Sequence, residues 1–406
     1  MKTLIKQIYS IRSPLSIGEG AGVRLIFFLL LLLSFSCSGR SQEPVPVSAV
    51  MDSVLPPQKL TLLFAGDLMQ HQGQINAAST STGYDYSDCF RYVKEEISKA
   101  DIAIANLEVT LGGKPYTGYP AFSAPDEYLQ AIKDAGFDVL TTANNHCLDR
   151  SRKGLERTIL MLDSLRLPHA GTYVNAEARA RRYPLLLEQN GFRIALLSYT
   201  YGTNGIKVTP PNVVNYIDKK VITQDIEAAR TLHPDAIIAC MHWGIEYESL
   251  PSNEQKSLAD WLISQGVTHV IGCHPHVIQP LELRTDSLTK QQNVVAYSLG
   301  NFISNMTARR TDGGLMLKLE LTKDSVTRVN HCAYSLVWTA RPILSGKKNY
   351  TLYPVSPLTD SLPEAARNRL KIFIDDTQTL LQKQNRNVGE YVFSKKILEE
   401  SLENKR

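Results

Sequence analysis

The feature that most constrains the fold is a repeated pairing of short apolar runs with polar clusters. From residue 59 onward, runs of β type alternate with helical stretches, and five predicted strands stop directly before a polar group. These clusters are Gly66-Asp67-Leu68-Met69, Asn106-Leu107-Glu108, Asn144-Asn145-His146, His242-Trp243-Gly244 and His274-Pro275-His276. Because ligands of α/β sheets bind beyond the carboxyl ends of strands, the pattern predicts one shared rim of donors.

The order of the elements predicts an α/β fold with two packed β-sheets. Strands alternate with helices up to Gly272, and a strand-rich half follows, beginning with a predicted strand at Val277–Leu283. The runs Tyr183–Glu188 and Phe192–Tyr199, joined at Asn190-Gly191, are typical of a β-hairpin. We assign residues 59–340 to this domain and residues 341–406 to a helical C-terminal extension.

Composition excludes several classes of protein. The 406 residues are 43% hydrophobic and 21% charged, with 24 Gly and 20 Pro in no triplet period. This is the composition of a globular protein, not of a disordered or collagen-like chain. The net charge is +4, and most of it lies in the first 36 residues. Because the rest is nearly neutral and lacks a basic stripe, we expect no nucleic-acid partner.

The N-terminus has the pattern of a signal peptide, assigned to residues 1–36. An unbroken apolar run spans Leu25–Leu33, directly after Arg24. The run is too short to span a membrane but suits the core of a signal peptide. It leads to Ser36-Cys37, which resembles a bacterial lipobox. We therefore predict a lipid anchor at Cys37 and a tether over residues 37–58; ordinary cleavage that leaves a free cysteine is the alternative. The other five cysteines are scattered and predict no disulfide framework.

The polar clusters supply the donors of a metal centre. Imidazole suits Zn, Fe, Ni or Cu, whereas carboxylate suits Mn, Mg or Ca, so the mixed set favours a transition metal. The donors are too many for one tetrahedral ion and suit two ions that share a carboxylate. Each cluster taken alone also has a structural explanation as a turn, a helix cap or a buried polar residue; their joint position at strand ends is what points to a common site.

The motifs resemble those of the CapA family, the bacterial capsule and poly-γ-glutamate synthesis branch of the calcineurin-like metallophosphoesterases. The resemblance covers about residues 59–322. It rests on the clusters above and on three flanking motifs: Gly136-Phe137-Asp138-Val139, Ile245-Glu246-Tyr247 and Tyr297-Ser298-Leu299-Gly300-Asn301-Phe302. It implies a four-layer fold, two sheets flanked by helices, with two divalent ions of Mn, Zn or Fe.

The resemblance also implies a role for each donor. Asp67 and His276 would bind the first ion, and Glu108 would bridge both. The second ion would be bound by Asn145, His242 and His274, with His146 beside it as the general acid. The sequence departs from the wider superfamily at Met69, which stands where a metal-binding His is usual; His71 lies two residues further along.

Three further segments each have more than one possible role. Glu246 and Tyr247 are expected to support the site, to contact substrate or to be purely structural. Asn301 lies either on the rim or in a turn around Gly300, and we favour the turn. The loop Gly112–Pro125 is long enough to line a cleft, and a substrate role is one hypothesis for it.

Two classes of function remain open from the sequence. The first is an exported, membrane-anchored hydrolase that acts on a phosphoester, or on an amide or ester bond of a cell-envelope polymer. The second is a non-catalytic component of capsule assembly that binds polymer and keeps the metal site for structure. His146 favours the first class, because metals that only stabilise the fold need no general acid.

Overall fold

The framework of the protein is a set of β-strands in two large sheets. The computed structural model describes residues 57–393. In chain order the strands are β1 (Gln58–Leu68), β2 (Ile102–Leu107), β3 (Val139–Thr141), β4 (His169–Ala170), β5 (Thr172–Tyr173), β6 (Leu185–Gln189), β7 (Phe192–Thr200), β8 (Val213–Val214), β9 (Ala236–His242), β10 (His269–Cys273), β11 (Leu281–Thr285), β12 (Gln292–Ala296), β13 (Asn301–Ile303), β14 (Gly313–Lys323), β15 (Thr327–Ala340), β16 (Thr351–Pro354) and β17 (Gly389–Glu390).

Helices connect most of the parallel strands. They are α1 (Gln72–Ala78), α2 (Lys94–Lys99), α3 (Asp126–Asp134), α4 (Ser151–Ser164), α5 (Ala176–Arg182), α6 (Lys219–Thr231), α7 (Asn253–Ser264), α8 (Pro342–Ser345) and α9 (Glu364–Gln384), with a 3₁₀ turn at Pro357–Ser361. None of the helices within residues 57–393 combines the length and apolarity that a membrane span requires.

The two sheets have mixed strand directions. The first has the order β16-β15-β14-β1-β2-β3-β4, with β13 beside β1 and β17 beside β15. Its β1 to β4 pairs are parallel. The second has the order β11-β12-β10-β9-β7-β6, with a parallel centre formed by β12, β10, β9 and β7. The parallel pairs bring several strand ends to one edge of each sheet.

The alternation of side chains along β1 shows how the layers pack. Phe64 belongs to the buried apolar cluster that contains Ile194 of β7, so this face of β1 meets the second sheet. Leu63 and Ala65 belong to the cluster that contains Leu129 of α3, so the opposite face meets helices. A strand that is buried on both faces has a nearly continuous apolar sequence, and β1 has such a sequence. The predicted α/β fold of two packed sheets flanked by helices is confirmed.

The predicted hairpin is also confirmed. Strands β6 and β7 pair antiparallel, with Gln189 opposite Phe192. The two residues between them have positive φ angles, 50° at Asn190 and 79° at Gly191. A tight two-residue turn of this kind requires left-handed backbone at both positions, which Asn and Gly tolerate best.

The prediction of a strand from Val277 is wrong at its start. The strand begins at Leu281, and the chain turns sharply just before Val277. His274 has a φ of 101° and His276 a φ of 57°, values incompatible with extended backbone. This turn keeps both imidazoles at the end of β10 instead of carrying them away along a strand.

The chain after residue 340 contains more than the expected helices. Helix α9 covers 21 residues, but β16 and β17 also pair with β15 and extend the first sheet. The predicted signal peptide and lipid attachment at Cys37, and all but the last two residues of the tether, lie outside the described residues. Among residues 57–393, the cysteines are free thiols.

Candidate metal centre

The sheet register brings the polar clusters to one place. Asp67 near the end of β1 lies opposite Asn106 of β2. On the second sheet, His242 at the end of β9 lies opposite Cys273 at the end of β10. The clusters that follow these strand ends therefore meet where the two sheets adjoin, as the sequence predicts. All six predicted metal-site residues, Asp67, Glu108, Asn145, His242, His274 and His276, are buried there.

Glu108 occupies the middle of the cluster. Its Oε1 lies 3.5 Å from His242 Nε2 and 3.8 Å from His276 Nε2. The Nδ1 atom of His276 lies 3.4 Å from Asp67 Oδ2. In each of three sets of residues the possible donor atoms lie within 4.8 Å of one another: Glu108 with His242 and His274, Asp67 with Glu108 and His276, and Glu246 with His274 and His276. Glu108 is common to the first two sets, which is the arrangement a bridging carboxylate requires.

Asn145 completes the first of these sets. Its Oδ1 lies 2.7 Å from His242 Nε2, and its amide nitrogen donates to Asn204 Oδ1 at 3.2 Å. The amide oxygen therefore points into the cluster while the amide nitrogen points away. An amide oxygen, a carboxylate and two imidazoles surround one small volume here.

The polar atoms without partners show that the donor set fits cations. Glu108 is fully buried, and neither carboxylate oxygen has a hydrogen-bond partner among residues 57–393. His274 Nδ1 is buried and equally without a partner in that range. Leaving such groups unsatisfied costs about 1–3 kcal/mol each, and more for a charged group. Divalent ions would satisfy all of these atoms at once, so the residues present fit the metals that the resemblance implies.

The shifted pKa values of the cluster also favour metal binding. Burial, with the neighbouring Asp67 carboxylate, raises the pKa of Glu108 well above its usual value. Burial, together with nearby His276, lowers the pKa of His274 to about 3. Burial also lowers the pKa of His242 well below its usual value, with His274 adding to the effect. Neutral imidazole is the form that coordinates metal, so both histidines are ready to bind.

Two asparagines that the sequence did not assign as ligands orient those that it did. Asn106 donates to Asp67 Oδ1 at 2.7 Å, and the same nitrogen lies 3.3 Å from His242 Nδ1. Asn301 Oδ1 lies 3.0 Å from His276 Nδ1. Asn301 therefore lies on the rim, and the expected turn around Gly300 is also present, with a φ of 71° at that residue. Such supporting contacts fix ligand orientation in metal sites.

His146 lies beside the cluster rather than in it. Its Nδ1 is 2.7 Å from Asp149 Oδ2, and its ring meets the Phe122 ring edge-on at 4.6 Å. It belongs to none of the three sets of donor atoms found within the described residues. Asp149 was missed by the sequence reasoning, although its spacing three residues after His146 is a usable signal. An imidazole held by a carboxylate is the arrangement of a positioned acid or base.

The first motif contributes only Asp67 to the cluster. Met69 packs in the apolar cluster beneath the sheet, and its carbonyl accepts a hydrogen bond from Tyr128. His71 Nδ1 accepts from the Asn305 backbone at 3.3 Å, and burial lowers the pKa of His71 to about 4. His71 is absent from the donor groups of the described chain.

Exposed tyrosines border the cluster. Tyr201 lies with its ring 4.4 Å from that of His274, and Tyr247 lies 6.4 Å from His276. Tyr119, from the Gly112–Pro125 loop, lies 6.4 Å from His146. The loop is therefore next to His146, where a cleft-lining segment is expected to be; its substrate role stays a hypothesis.

Comparison with known proteins agrees with the motifs. The Bacillus anthracis capsule biosynthesis protein CapA is 28% identical over 285 residues, 67% of this chain and 66% of that protein, just under two thirds of its length. The Bacillus subtilis PGA biosynthesis protein CapA is 26% identical over 313 residues, 74% of this chain and 76% of that protein.

Solved structures with a similar arrangement have low sequence identity. The Haemophilus influenzae NAD nucleotidase is 10% identical, with a TM-score of 0.45 over 86% of this chain and 67% of that one. A Bacillus subtilis calcineurin-like phosphoesterase is 13% identical, with a TM-score of 0.40 over 80% of this chain and 99% of that one. The family described as bacterial capsule synthesis protein PGA_cap matches residues 61–306. That match covers more than half of the sequence, and the chain therefore belongs to this family of bacterial capsule synthesis proteins.

Proposed function

We propose that this protein is a two-metal hydrolase of the cell envelope that acts in capsule or poly-γ-glutamate synthesis. Its substrate would be a phosphoester, or an amide or ester bond of an envelope polymer. The observation that carries the proposal is Glu108, a fully buried carboxylate whose two oxygens have no hydrogen-bond partner within the described residues and which belongs to two sets of donors. Protein stability alone gives no reason to bury a carboxylate in this way.

Each ion has its own residues in this proposal. Asp67, Glu108 and His276 would hold one, and Glu108, Asn145, His242 and His274 the other. When bound, divalent ions polarise the substrate and supply a nucleophile at neutral pH by lowering the pKa of water. Asn106 and Asn301 keep the ligands Asp67 and His276 in orientation through the contacts described above.

His146 would handle the proton of the leaving group. Because its Nδ1 faces Asp149, its Nε2 is the atom that delivers the proton. Asp149 fixes the orientation of the ring. Phe122 packs against the same ring and restricts its rotation. The pairing favours a hydrolase over a non-catalytic assembly component, because a polymer-binding scaffold has no use for an oriented imidazole beside its metals.

The proposed location is the cell envelope, with the chain exported and anchored in a membrane by a lipid on Cys37. The apolar run Leu25–Leu33 and the following cysteine support it. The names of the relatives, which refer to biosynthesis of capsule and of PGA, agree with a place in the envelope.

The test compares metal-loaded protein with a His146→Asn variant. Purified protein is stripped with chelator, reloaded with Mn²⁺ or Zn²⁺, and assayed on an aryl phosphate and on polyglutamate. We expect turnover that falls by roughly 10²–10⁴-fold in the variant while its metal content is unchanged. In parallel, both forms are tested for capsule formation in cells that lack the gene. A variant that supports normal capsule would contradict the hydrolase and leave the assembly component.

A further inference from the structure

The two proposed ions have unequal sets of ligands. One has four side chains, Glu108, Asn145, His242 and His274. The other has only Asp67, Glu108 and His276. Met69 and His71 do not add to it, because they contact Tyr128 and Asn305 instead. We propose that Glu246 binds the ion held by Asp67 and His276, taking the place that Met69 cannot fill. This inference rests on the two-metal centre of the proposed function.

The position of the Glu246 carboxylate carries the inference. One of its oxygens, a ring nitrogen of His274 and a ring nitrogen of His276 all lie within 4.8 Å of one another. His276 belongs also to the set with Asp67 and Glu108, and His274 to the set with Glu108 and His242, so Glu246 lies near ligands of both ions. The ion held by Asp67 and His276 has one side chain fewer and is therefore the one with a place for the Glu246 carboxylate.

The backbone holds Glu246 in this position. The loop that carries it is tied to the His274–His276 turn on both sides, by the hydrogen bond from Trp243 N to Cys273 O at 3.1 Å and the one from Tyr247 N to Pro275 O at 2.8 Å. Gly244 makes the turn with a φ of 90°, and a Cβ there would lie 2.7 Å from the Gln255 side chain. A carboxylate on so constrained a loop is placed for a specific contact.

The chemistry of the site favours a carboxylate at this point. Two divalent ions bring more positive charge than Asp67 and Glu108 neutralise, and a third carboxylate reduces the excess. Glu246 is exposed, unlike the other donors, so it lies on the solvent side of the ion. Carboxylate ligands shift preference toward Mn²⁺ among the candidate metals, which makes Mn²⁺ the appropriate probe.

The experiment is a calorimetric titration of the metal-stripped full chain with Mn²⁺. The variants are Glu246→Gln and, as the matched control, Glu248→Gln, which removes the same charge from an exposed position two residues along the same loop. We expect Glu246→Gln to weaken one of two binding events by roughly 10–100-fold and Glu248→Gln to leave both unchanged. In a His276→Ala background, adding Glu246→Gln should weaken Mn²⁺ binding far less, because both residues act on one ion.

Each contrary outcome has a distinct meaning. Wild-type affinities in Glu246→Gln would overturn the assignment, and so would equal weakening by Glu248→Gln, which would indicate only a long-range charge effect. A full additional loss in the His276→Ala background would place Glu246 on the other ion and refute the inference as stated. If the wild-type chain binds no Mn²⁺, Zn²⁺ or Fe²⁺, the two-metal function fails, and this inference fails with it.

Discussion

Replacing Glu108 by Gln should raise the stability of the metal-free protein while abolishing most of its stabilisation by metal. Glu108 is fully buried, and its oxygens have no hydrogen-bond partner within the described part of the chain. Gln has nearly the same shape, carries no charge, and can donate to Asp67, whose carboxylate adjoins that of Glu108. The change therefore relieves a cost in the metal-free state and removes the shared ligand from the loaded one.

The expected magnitudes follow from these contacts. Removing a buried carboxylate that has no hydrogen-bond partner should stabilise the metal-free protein by about 1–3 kcal/mol, or roughly 1–4 °C in a domain of this size. A hundredfold excess of metal over its dissociation constant should stabilise the wild type by about 2.7 kcal/mol per site. The variant should lose most of this gain at both sites, because Glu108 belongs to both donor sets.

The assay is thermal unfolding in chelator and in saturating Mn²⁺ or Zn²⁺. The control is Glu96→Gln, since Glu96 is also buried but accepts a hydrogen bond from Lys318. This variant should lower the stability of the metal-free protein and keep the full metal-dependent shift. If Glu108→Gln destabilises the metal-free protein and retains the wild-type shift with metal, the reasoning about Glu108 is refuted.

Three further predictions concern other parts of the chain. Asp149→Asn should lower turnover by at least ~10-fold without loss of metal, because Asp149 positions the His146 ring; equal turnover in steady-state assays would show that the contact is only structural. Burial lowers the pKa of His269 to about 3, below its value of about 6.5 in the unfolded state. As the pH drops between these values, the unfolded state binds the proton first, so the free energy of unfolding falls by up to ~1.4 kcal/mol per pH unit. His269→Asn, which keeps an acceptor for the Val294 N–H, should remove that part of the slope in urea unfolding at pH 7 to 4.5; an unchanged slope would mean that other groups cause the acid sensitivity. Cys37→Ala should release the protein from the membrane fraction, and wild-type protein that carries no lipid label would count against the anchor.

The sequence predicted the features of the fold that depend on local pattern. The Asn190-Gly191 turn was predictable because both residues tolerate the positive φ that the turn needs. The shared rim was predictable because parallel strands end at a common edge. The start of β11 at Leu281 was not, since Val277–Leu283 has strand-like composition along its whole length. The pairing of β16 and β17 with β15 depends on long-range contacts that no local pattern contains.

The same distinction applies to the site. The predicted donors converge because each lies at the end of a strand or in the segment that follows it. The orienting contacts of Asn106 and Asn301 could not be derived, since each depends on a distance between side chains far apart in the sequence. Asp149, three residues after His146, had a local signal that the sequence reasoning did not use. Glu246 was singled out by its motif, but only the folded chain shows that its carboxylate approaches His274 and His276.

The most direct test of the two-metal centre is the metal content of the purified chain. Elemental analysis after reloading and removal of free metal should give two Mn, Zn or Fe ions per wild-type chain, and fewer in Glu108→Gln. A wild-type chain that retains no more metal than Glu108→Gln under the same conditions would contradict the account.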